Sequence, residues 1–136
     1  MILTAGIDVG STYTKAVVLS GQGVILGQAL NNTGFKLAEV ARQVYDGALE
    51  NAGLAESDIS YVVATGFGRH MVSFSDTQVT DLTASARGAI FFFPKTRTIL
   101  DVGGQTMKAT RIDESDRKIT RLNSSHMVQS RMPSSA

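Results

Sequence analysis

Two glycine-rich turns with the same order of residue types stand out in this chain, because together they could hold a phosphate chain. The first reads Gly6-Ile7-Asp8-Val9-Gly10-Ser11-Thr12 and is followed by Lys15. The second reads Leu100-Asp101-Val102-Gly103-Gly104-Gln105-Thr106 and is followed by Lys108. In each case an apolar run ends in an aspartate before the glycines begin. Two such hairpins facing each other could enclose phosphates and a metal ion from both sides, which indicates a nucleotide-binding protein.

The residue types in the two turns match what phosphoryl transfer requires. Such a site needs donors to the phosphate oxygens, a carboxylate for hydrated magnesium and a group that positions the attacking water. Glycine lets the backbone approach phosphates closely, and successive amides form a nest for anions. We predict that Asp8 and Asp101 hold Mg²⁺ through water, which this ion gives up reluctantly, and that Lys15 reaches a phosphate oxygen. The predicted backbone donors are Gly10, Ser11, Thr12, Gly103, Gly104 and Gln105.

Each turn taken alone has a simpler explanation. An Asp-x-Gly sequence at the end of a strand is usually only a turn, and a single lysine on a strand is usually solvated. The prediction therefore depends on the pair of turns. Two other nucleotide signatures are missing, since the chain has no G-x-x-x-x-G-K-[ST] pattern, and Gly66-x-Gly68 is followed by Met71 where the dinucleotide motif requires glycine.

The segments around the turns predict an α/β lobe with a mixed sheet. Three short β-branched runs predict an antiparallel meander, and apolar residues at helical spacing predict a helix over Phe35–Ala52 that ends at Gly53. We expect a loop at Asn31–Gly34 and core packing for Phe91–Phe93. The predicted strands are Ile2–Val9, Thr14–Leu19, Val24–Ala29, Ile59–Ala64, Arg97–Asp101 and Lys108–Ile112, and Asp81–Phe92 is a second predicted helix.

The last two predicted strands would begin a second copy of the meander. The sequence therefore predicts one complete lobe and only the start of another. We predict an N-terminal lobe over residues 1–93, the start of a truncated second lobe over residues 94–115, and a non-native tail over residues 116–136. The tail resembles the translation of a sequencing-adapter read-through, with Ile119 in place of serine. A natural basic, serine-rich disordered tail is the alternative. In either case we expect the tail to pack against nothing.

Charge and composition exclude several classes of function. The chain has 13 basic and 12 acidic residues and no cysteine. Four of the bases and one of the acids lie in residues 116–136, which leaves nine basic against eleven acidic residues and no indication of nucleic-acid binding. No apolar run is long enough to span a membrane, so we predict a cytoplasmic protein. Without cysteine this segment can form neither a disulfide nor a thiolate metal site.

Four sequence blocks resemble one branch of the actin/sugar-kinase/Hsp70 ATPase superfamily. They are the first turn with its lysine, Ala64-Thr65-Gly66-Phe67-Gly68-Arg69, the segment Thr80–Ala89, and Ile99–Gln105. Over about residues 3–114 the chain is similar to ATPases of the BadF/BadG/BcrA/BcrD type, which are the activators of 2-hydroxyacyl-CoA dehydratases and the ATPase subunits of benzoyl-CoA reductase. The first and last blocks occur widely in the superfamily, whereas the middle two are specific to this branch.

The resemblance implies a ribonuclease H-like, actin-like lobe and a function in electron transfer. Such proteins pair with a second ATPase subunit, hold a [4Fe–4S] cluster between the two subunits, and use ATP to drive low-potential electron transfer into a CoA-ester reductase or dehydratase. Asp81 would position the attacking water by resemblance. The cluster cysteines would follow the last hairpin, so this segment alone cannot hold the cluster and is expected to be inactive.

The chain departs from the family pattern in two places, and two other functions stay open. Thr106 stands where an acidic residue is frequent, and Ala84-Ser85 stand where a Cys-His pair is common. These departures slightly favour a reductase subunit over a dehydratase activator. A sugar or carboxylate kinase, or an actin-like filament protein, would retain the same turns, and similarity of fold cannot separate these functions.

Overall fold

The computed structural model describes residues 1–103, 107–113 and 118–121, and the chain separates into two compact units, Met1–Asp81 and Leu82–Ala136. The first unit contains a five-stranded mixed sheet in the order β3-β2-β1-β4-β5. The meander β1–β3 is antiparallel, and β4 and β5 are added in parallel. The predicted α/β class with a mixed sheet is confirmed. Its elements are β1 (Leu3–Val9), β2 (Tyr13–Ser20), β3 (Ile25–Asn32), α1 (Leu37–Ala52), β4 (Tyr61–Thr65) and β5 (Thr77–Gln78).

Helix α1 covers one face of this sheet and forms the core with it. Along β1 the residues alternate strictly between buried and half-buried, as expected for a strand with one covered face. The aliphatic side chains of the covered face pack with the apolar stripe of α1, whose central members Val44 and Tyr45 are each 1% exposed. The even-numbered residues of β1, Asp8 among them, therefore lie on the face opposite α1.

Two glycines shape this packing. Gly53 ends α1 in the left-handed conformation (φ 69°), and its N–H donates to the carbonyl of Glu50 (3.0 Å), which confirms the predicted helix end. Gly27 on β3 lies directly against α1, because a Cβ at this position would overlap the carbonyl oxygen of Ala48 and lie 2.7 Å from the amide nitrogen of Ala52. Any side chain at position 27 would push β3 away from the helix.

The second unit contains α2, apart from its first residue, and a separate three-stranded sheet. Helix α2 (Asp81–Phe92) begins and ends where the sequence predicts, and the strands β6 (Thr98–Val102), β7 (Met107–Asp113) and β8 (Lys118–Arg121) follow in the order β6-β7-β8. Phe91–Phe93 is 56–70% exposed, so the expected core packing is wrong. The buried residues described in this unit are few and small or medium in size: Ala86, Thr110 and Ile112.

Two further expectations are corrected by the strand pairing. Asn31 and Asn32 belong to β3 and not to a loop, because the β2–β3 ladder continues to the pair Tyr13–Asn32 and overrides the low strand propensity of asparagine. Lys118–Arg121 pairs with β7, with Ile112 opposite Ile119, so the expectation that the tail packs against nothing is wrong for these four residues. The remaining residues of the tail lie outside the described residues, and its non-native origin stays a prediction.

An ion pair joins α1 to the 3₁₀ turn Glu56–Asp58 that precedes β4. Both terminal nitrogens of Arg42 donate to the Glu56 carboxylate (2.7 and 3.0 Å), and its Nε lies 3.2 Å from Asp46. The guanidinium lies over the stacked rings of Phe74 and Tyr45, 5.0 and 5.5 Å from their centroids. The hydrogen bonds from Arg42 lower the pKa of the Glu56 carboxyl.

We expect Gly27→Ala to destabilise the first unit by about 1–3 kcal/mol, since the new methyl group forces β3 and α1 apart. Thermal or urea unfolding monitored by circular dichroism measures this change. Gly21→Ala is the matched control, because a Cβ there lies at an ordinary 3.4 Å from the carbonyl oxygen of Ile2. Equal stability of the two variants would contradict the proposed contact.

We expect Glu56→Gln to lower the thermal midpoint at about pH 7 and to approach the wild type as the pH falls below the ordinary pKa of a glutamate carboxyl. The lowered pKa of Glu56 means that its ionised form stabilises the fold above the unfolded-state pKa, and that this contribution is lost as the pH falls through the folded-state pKa. Because the pair is solvent-accessible, the effect should stay within about 1 kcal/mol. Glu50→Gln, which changes an exposed carboxylate on α1, is the control variant.

Candidate functional site

The candidate site lies at the carboxyl end of β1, on the face opposite α1. Asp8 is paired in register with Lys15 of β2 on one side and with Thr65 of β4 on the other, so the three form one row across the sheet. The Asp8 carboxylate lies 3.7 Å from the Lys15 ammonium, and the two side chains are 41% and 55% exposed. The α/β sheets bind their ligands at the carboxyl ends of their parallel strands. At this end the row offers a ligand both a carboxylate and a positively charged ammonium group.

The first glycine turn is closed by its own backbone. The Gly10 N–H donates to the Tyr13 carbonyl (3.0 Å), and a Cβ on Gly10 would lie 2.8 Å from that oxygen. The Gly10 amide is therefore engaged inside the turn, and its role as a phosphate donor stays a prediction. Ser11 and Thr12 are exposed, and neither amide donates to another described backbone group. These two amides are the donors that the turn offers to a ligand.

Two buried threonines, which the sequence analysis did not identify, hold this turn from behind. The Thr33 hydroxyl donates to the Gly10 carbonyl (2.7 Å), and the Thr33 N–H donates to the Thr12 carbonyl (3.0 Å). The Thr14 hydroxyl lies 2.8 Å from that of Thr33. Since Thr33 gives its single hydrogen to Gly10, Thr14 must be the donor of this bond. The turn is thus fixed by a chain of hydrogen bonds from β2 and from the end of β3.

The loop after β4 is fixed to the end of β1. Gly66 has φ +92°, and a Cβ there would overlap the Val9 carbonyl oxygen and lie 2.7 Å from the Asp8 carboxylate. The Gly68 N–H donates to the same Val9 oxygen (3.1 Å), and Arg69 donates to the Gly66 carbonyl (2.9 Å). In the sequence this segment belongs to one of the four blocks that carry the family resemblance, and no site residue was predicted there. Two glycines flanking one aromatic residue were the available signal.

The second turn repeats the pairing of the first. Asp101 on β6 stands opposite Lys108 on β7, as Asp8 stands opposite Lys15. Asp101 and Gly103 are exposed, whereas the predicted donors Gly104 and Gln105 lie outside the described residues. The two turns belong to different compact units, so the predicted clamp formed by both turns stays a prediction.

Asp81 is the first residue of α2, where a carboxylate is favoured by the helix dipole. This position gives it a structural reason to be acidic, apart from the role that the resemblance implies. The structure therefore brings together Asp8, Lys15 and the first turn, and adds Thr65 and Gly66 to them. Asp101 belongs to the second unit, and its place in a nucleotide site stays a prediction, as does the role of Asp81.

The donor set suits a hydrated cation better than a dehydrated one. Within the described part of the chain, no group of three or more acidic, histidine or cysteine side chains could hold a metal ion. A single carboxylate beside neutral oxygens fits Mg²⁺ that keeps most of its water and bridges to phosphates. None of the described helices is long and apolar enough to cross a membrane.

Comparison with known proteins gives the family. The sequence profile of the BadF/BadG/BcrA/BcrD ATPase family matches residues 5–127. The activator of lactoyl-CoA dehydratase from Anaerotignum propionicum is 42% identical over 113 residues, which cover 82% of this chain and 42% of that protein. One of the benzoyl-CoA reductase subunits from Thauera aromatica is 37% identical over 121 residues, which cover 84% of this chain and 42% of that protein.

A solved structure agrees with the sequence comparison. The activator of the 2-hydroxyisocaproyl-CoA dehydratase from Clostridium difficile with bound ADPNP superposes with a TM-score of 0.80 at 36% identity, covering 90% of this chain and 46% of that one. The chain therefore spans less than half the length of these relatives. With the profile match over nearly its whole length, the chain belongs to the BadF/BadG/BcrA/BcrD ATPase family.

Proposed function

We propose that this chain is the N-terminal part of an ATPase that couples ATP hydrolysis to low-potential electron transfer into a 2-hydroxyacyl-CoA dehydratase or a benzoyl-CoA reductase. The observation that carries the proposal is the Asp8–Lys15 pair beside a turn fixed by Thr33. Relatives named as a dehydratase activator and as a reductase subunit support this function over a sugar kinase or a filament protein. The higher identity to the activator favours that role, against the slight preference drawn from the sequence.

The residues at the end of β1 have complementary tasks in this proposal. The amides of Ser11 and Thr12 bind phosphate oxygens of ATP, and Lys15 adds a positive charge beside them. Asp8 holds the hydrated Mg²⁺ through water, and the ion supplies charge neutralisation at the phosphates. Because the Asp8–Lys15 pair is open to solvent, both groups can exchange part of their mutual contact for contacts with the ligand.

The second half of the nucleotide site comes from the other turn. We propose that Asp101 with Gly103, Gly104 and Gln105 closes on the phosphates from the opposite side, and that Asp81 positions the attacking water. The repeated register of aspartate against lysine in both hairpins supports this symmetry. Enclosing the reacting phosphate in this way excludes water from it and strengthens every electrostatic contact there.

The electron-transfer group does not fit the residues of this chain. A [4Fe–4S] cluster requires thiolate ligands, and the chain contains no cysteine. In the proposed assembly, the ligands of the cluster come from a longer protein and from its partner ATPase subunit. We further propose that the protein works in the cytoplasm on a CoA-ester reductase or dehydratase, with no nucleic-acid or membrane partner.

In the complete gene product, we expect Asp8→Asn and Asp101→Asn each to lower Mg²⁺-dependent ATP turnover by about 100-fold or more, because either change removes a charge that places the cation. Lys15→Ala should cost less, since one flexible cation is partly replaced by water. Phosphate release at saturating ATP measures the effect. Glu39→Gln, which alters an exposed residue in the first turn of α1, is the control and should retain full turnover.

We expect residues 1–136 alone to release no phosphate from ATP above background, since the proposed site needs two turns held against each other by two complete lobes. The assay is the same phosphate release at matched protein concentration. Turnover equal to that of the complete gene product would contradict the two-lobed proposal. An Asp8→Asn variant with unchanged turnover would contradict the role of Asp8 alone.

A further inference from the structure

The Thr65 hydroxyl is buried and has no hydrogen-bond partner, and it is the one such side-chain atom among the described residues. More than nine in ten buried polar groups in folded proteins are paired. A buried hydroxyl without a partner costs free energy comparable to a lost hydrogen bond. An unpaired hydroxyl at the end of β4 therefore calls for an explanation.

The surroundings of Thr65 fix its position beside Asp8. The two residues are direct neighbours in the parallel β1–β4 ladder, so their side chains lie on the same face at a strand spacing of about 4.8 Å. The next residue, Gly66, is pressed against the Asp8 carboxylate, and Gly68 is hydrogen-bonded to Val9. With the backbone held on both sides and a stiff β-branched side chain, Thr65 has little freedom to find another partner.

A purely structural role explains Thr65 less well. Threonine is a good strand former, but valine would fill the same space in β4 without an unpaired polar atom. The two other buried threonines near the site behave differently, since the hydroxyls of Thr14 and Thr33 are both paired. The exception occurs at the position adjacent to the carboxylate of the candidate site.

We infer that Thr65 is a further positioning residue of the nucleotide site, and that its hydroxyl oxygen accepts a hydrogen bond from a water of the hydrated cation held by Asp8. This inference rests on the proposed function. A water bound to a cation directs its hydrogens outward and needs acceptors around it. The Asp8 carboxylate supplies one acceptor, and the recessed Thr65 oxygen supplies a neutral one beside it. The more exposed Lys15 and the turn amides are left for the phosphates.

The test compares Thr65→Val, Thr65→Ser and Thr4→Val in the complete gene product. Valine keeps the shape of threonine but removes the hydroxyl, and serine keeps the hydroxyl. Thr4 lies on the same face of β1 as Asp8 but near the other end of the strand, and it serves as the matched control. Each variant is measured for its thermal midpoint without ligand, for its ADP affinity by calorimetry with and without Mg²⁺, and for the Mg²⁺ concentration that gives half-maximal ATP turnover.

We expect Thr65→Val to have an unchanged or higher thermal midpoint, because it removes the unpaired hydroxyl, while the half-maximal Mg²⁺ concentration rises by about tenfold. Its ADP affinity without Mg²⁺ should stay unchanged. Thr65→Ser should keep the wild-type Mg²⁺ requirement, and Thr4→Val should keep it as well.

Three outcomes would overturn the inference. A lower midpoint for Thr65→Val with an unchanged Mg²⁺ requirement would make the hydroxyl structural. Equal weakening of ADP binding with and without Mg²⁺ would assign the hydroxyl to a phosphate. Wild-type behaviour of Thr65→Val in every measurement would show that the Thr65 hydroxyl has no role in the site. Failure of the proposed function can be distinguished from failure of this inference. If the proposed function is wrong, Asp8→Asn leaves ATP turnover unchanged, whatever the result for Thr65→Val.

Discussion

The packing of Gly66 against the carboxyl end of β1 is the constraint on which the candidate site depends. Its positive φ and missing Cβ allow the loop after β4 to lie against the Asp8 carboxylate and the Val9 carbonyl. Val9 is fully buried in the core beneath α1, so the loop is held against a residue that is itself fixed by core packing. A side chain at position 66 would move the loop outward and separate Thr65 from Asp8. The geometry of the site is therefore a consequence of core packing one residue away.

Much of the first unit could be predicted from the sequence, because its signals are local. Alternating β-branched residues predict β1 and β2, helical spacing predicts α1, and Gly53 marks the helix end. The contributions of Thr33 and Gly66 could not be predicted, since each acts on a residue more than twenty positions away along the chain. The loop predicted for the asparagines at the end of β3 was wrong for the same reason, because pairing with β2 outweighs their local preference for turns. Local patterns predict elements, and long-range contacts build the site.

The equal spacing of the two hairpins explains their common register. Asp8 precedes Lys15 by the same interval as Asp101 precedes Lys108, and antiparallel pairing after a short turn places each lysine directly across from its aspartate. The first of these pairs is open to solvent and its charged atoms lie 3.7 Å apart. Such a pair stabilises the fold by no more than about 1 kcal/mol. Fold stability is a weak reason for such a pair. Opposite charges held beside a glycine turn agree with the proposed site, in which a phosphate chain and a cation are bound together.

The buried threonine hydroxyls of the first unit differ in whether they have hydrogen-bond partners that stabilise the fold. The hydroxyls of Thr14 and Thr33 complete a hydrogen-bond chain that ends on Gly10, and removing either would leave a buried acceptor or donor unpaired. Thr65 presents the opposite case, since its removal relieves an unpaired group in the unliganded protein. The lobe satisfies the polar atoms behind its turn and leaves one unsatisfied beside its carboxylate, a cost that the inferred water of a bound cation would offset. Unfavourable local energies of this kind concentrate where proteins bind and react, and this one lies in the Lys15–Asp8–Thr65 row.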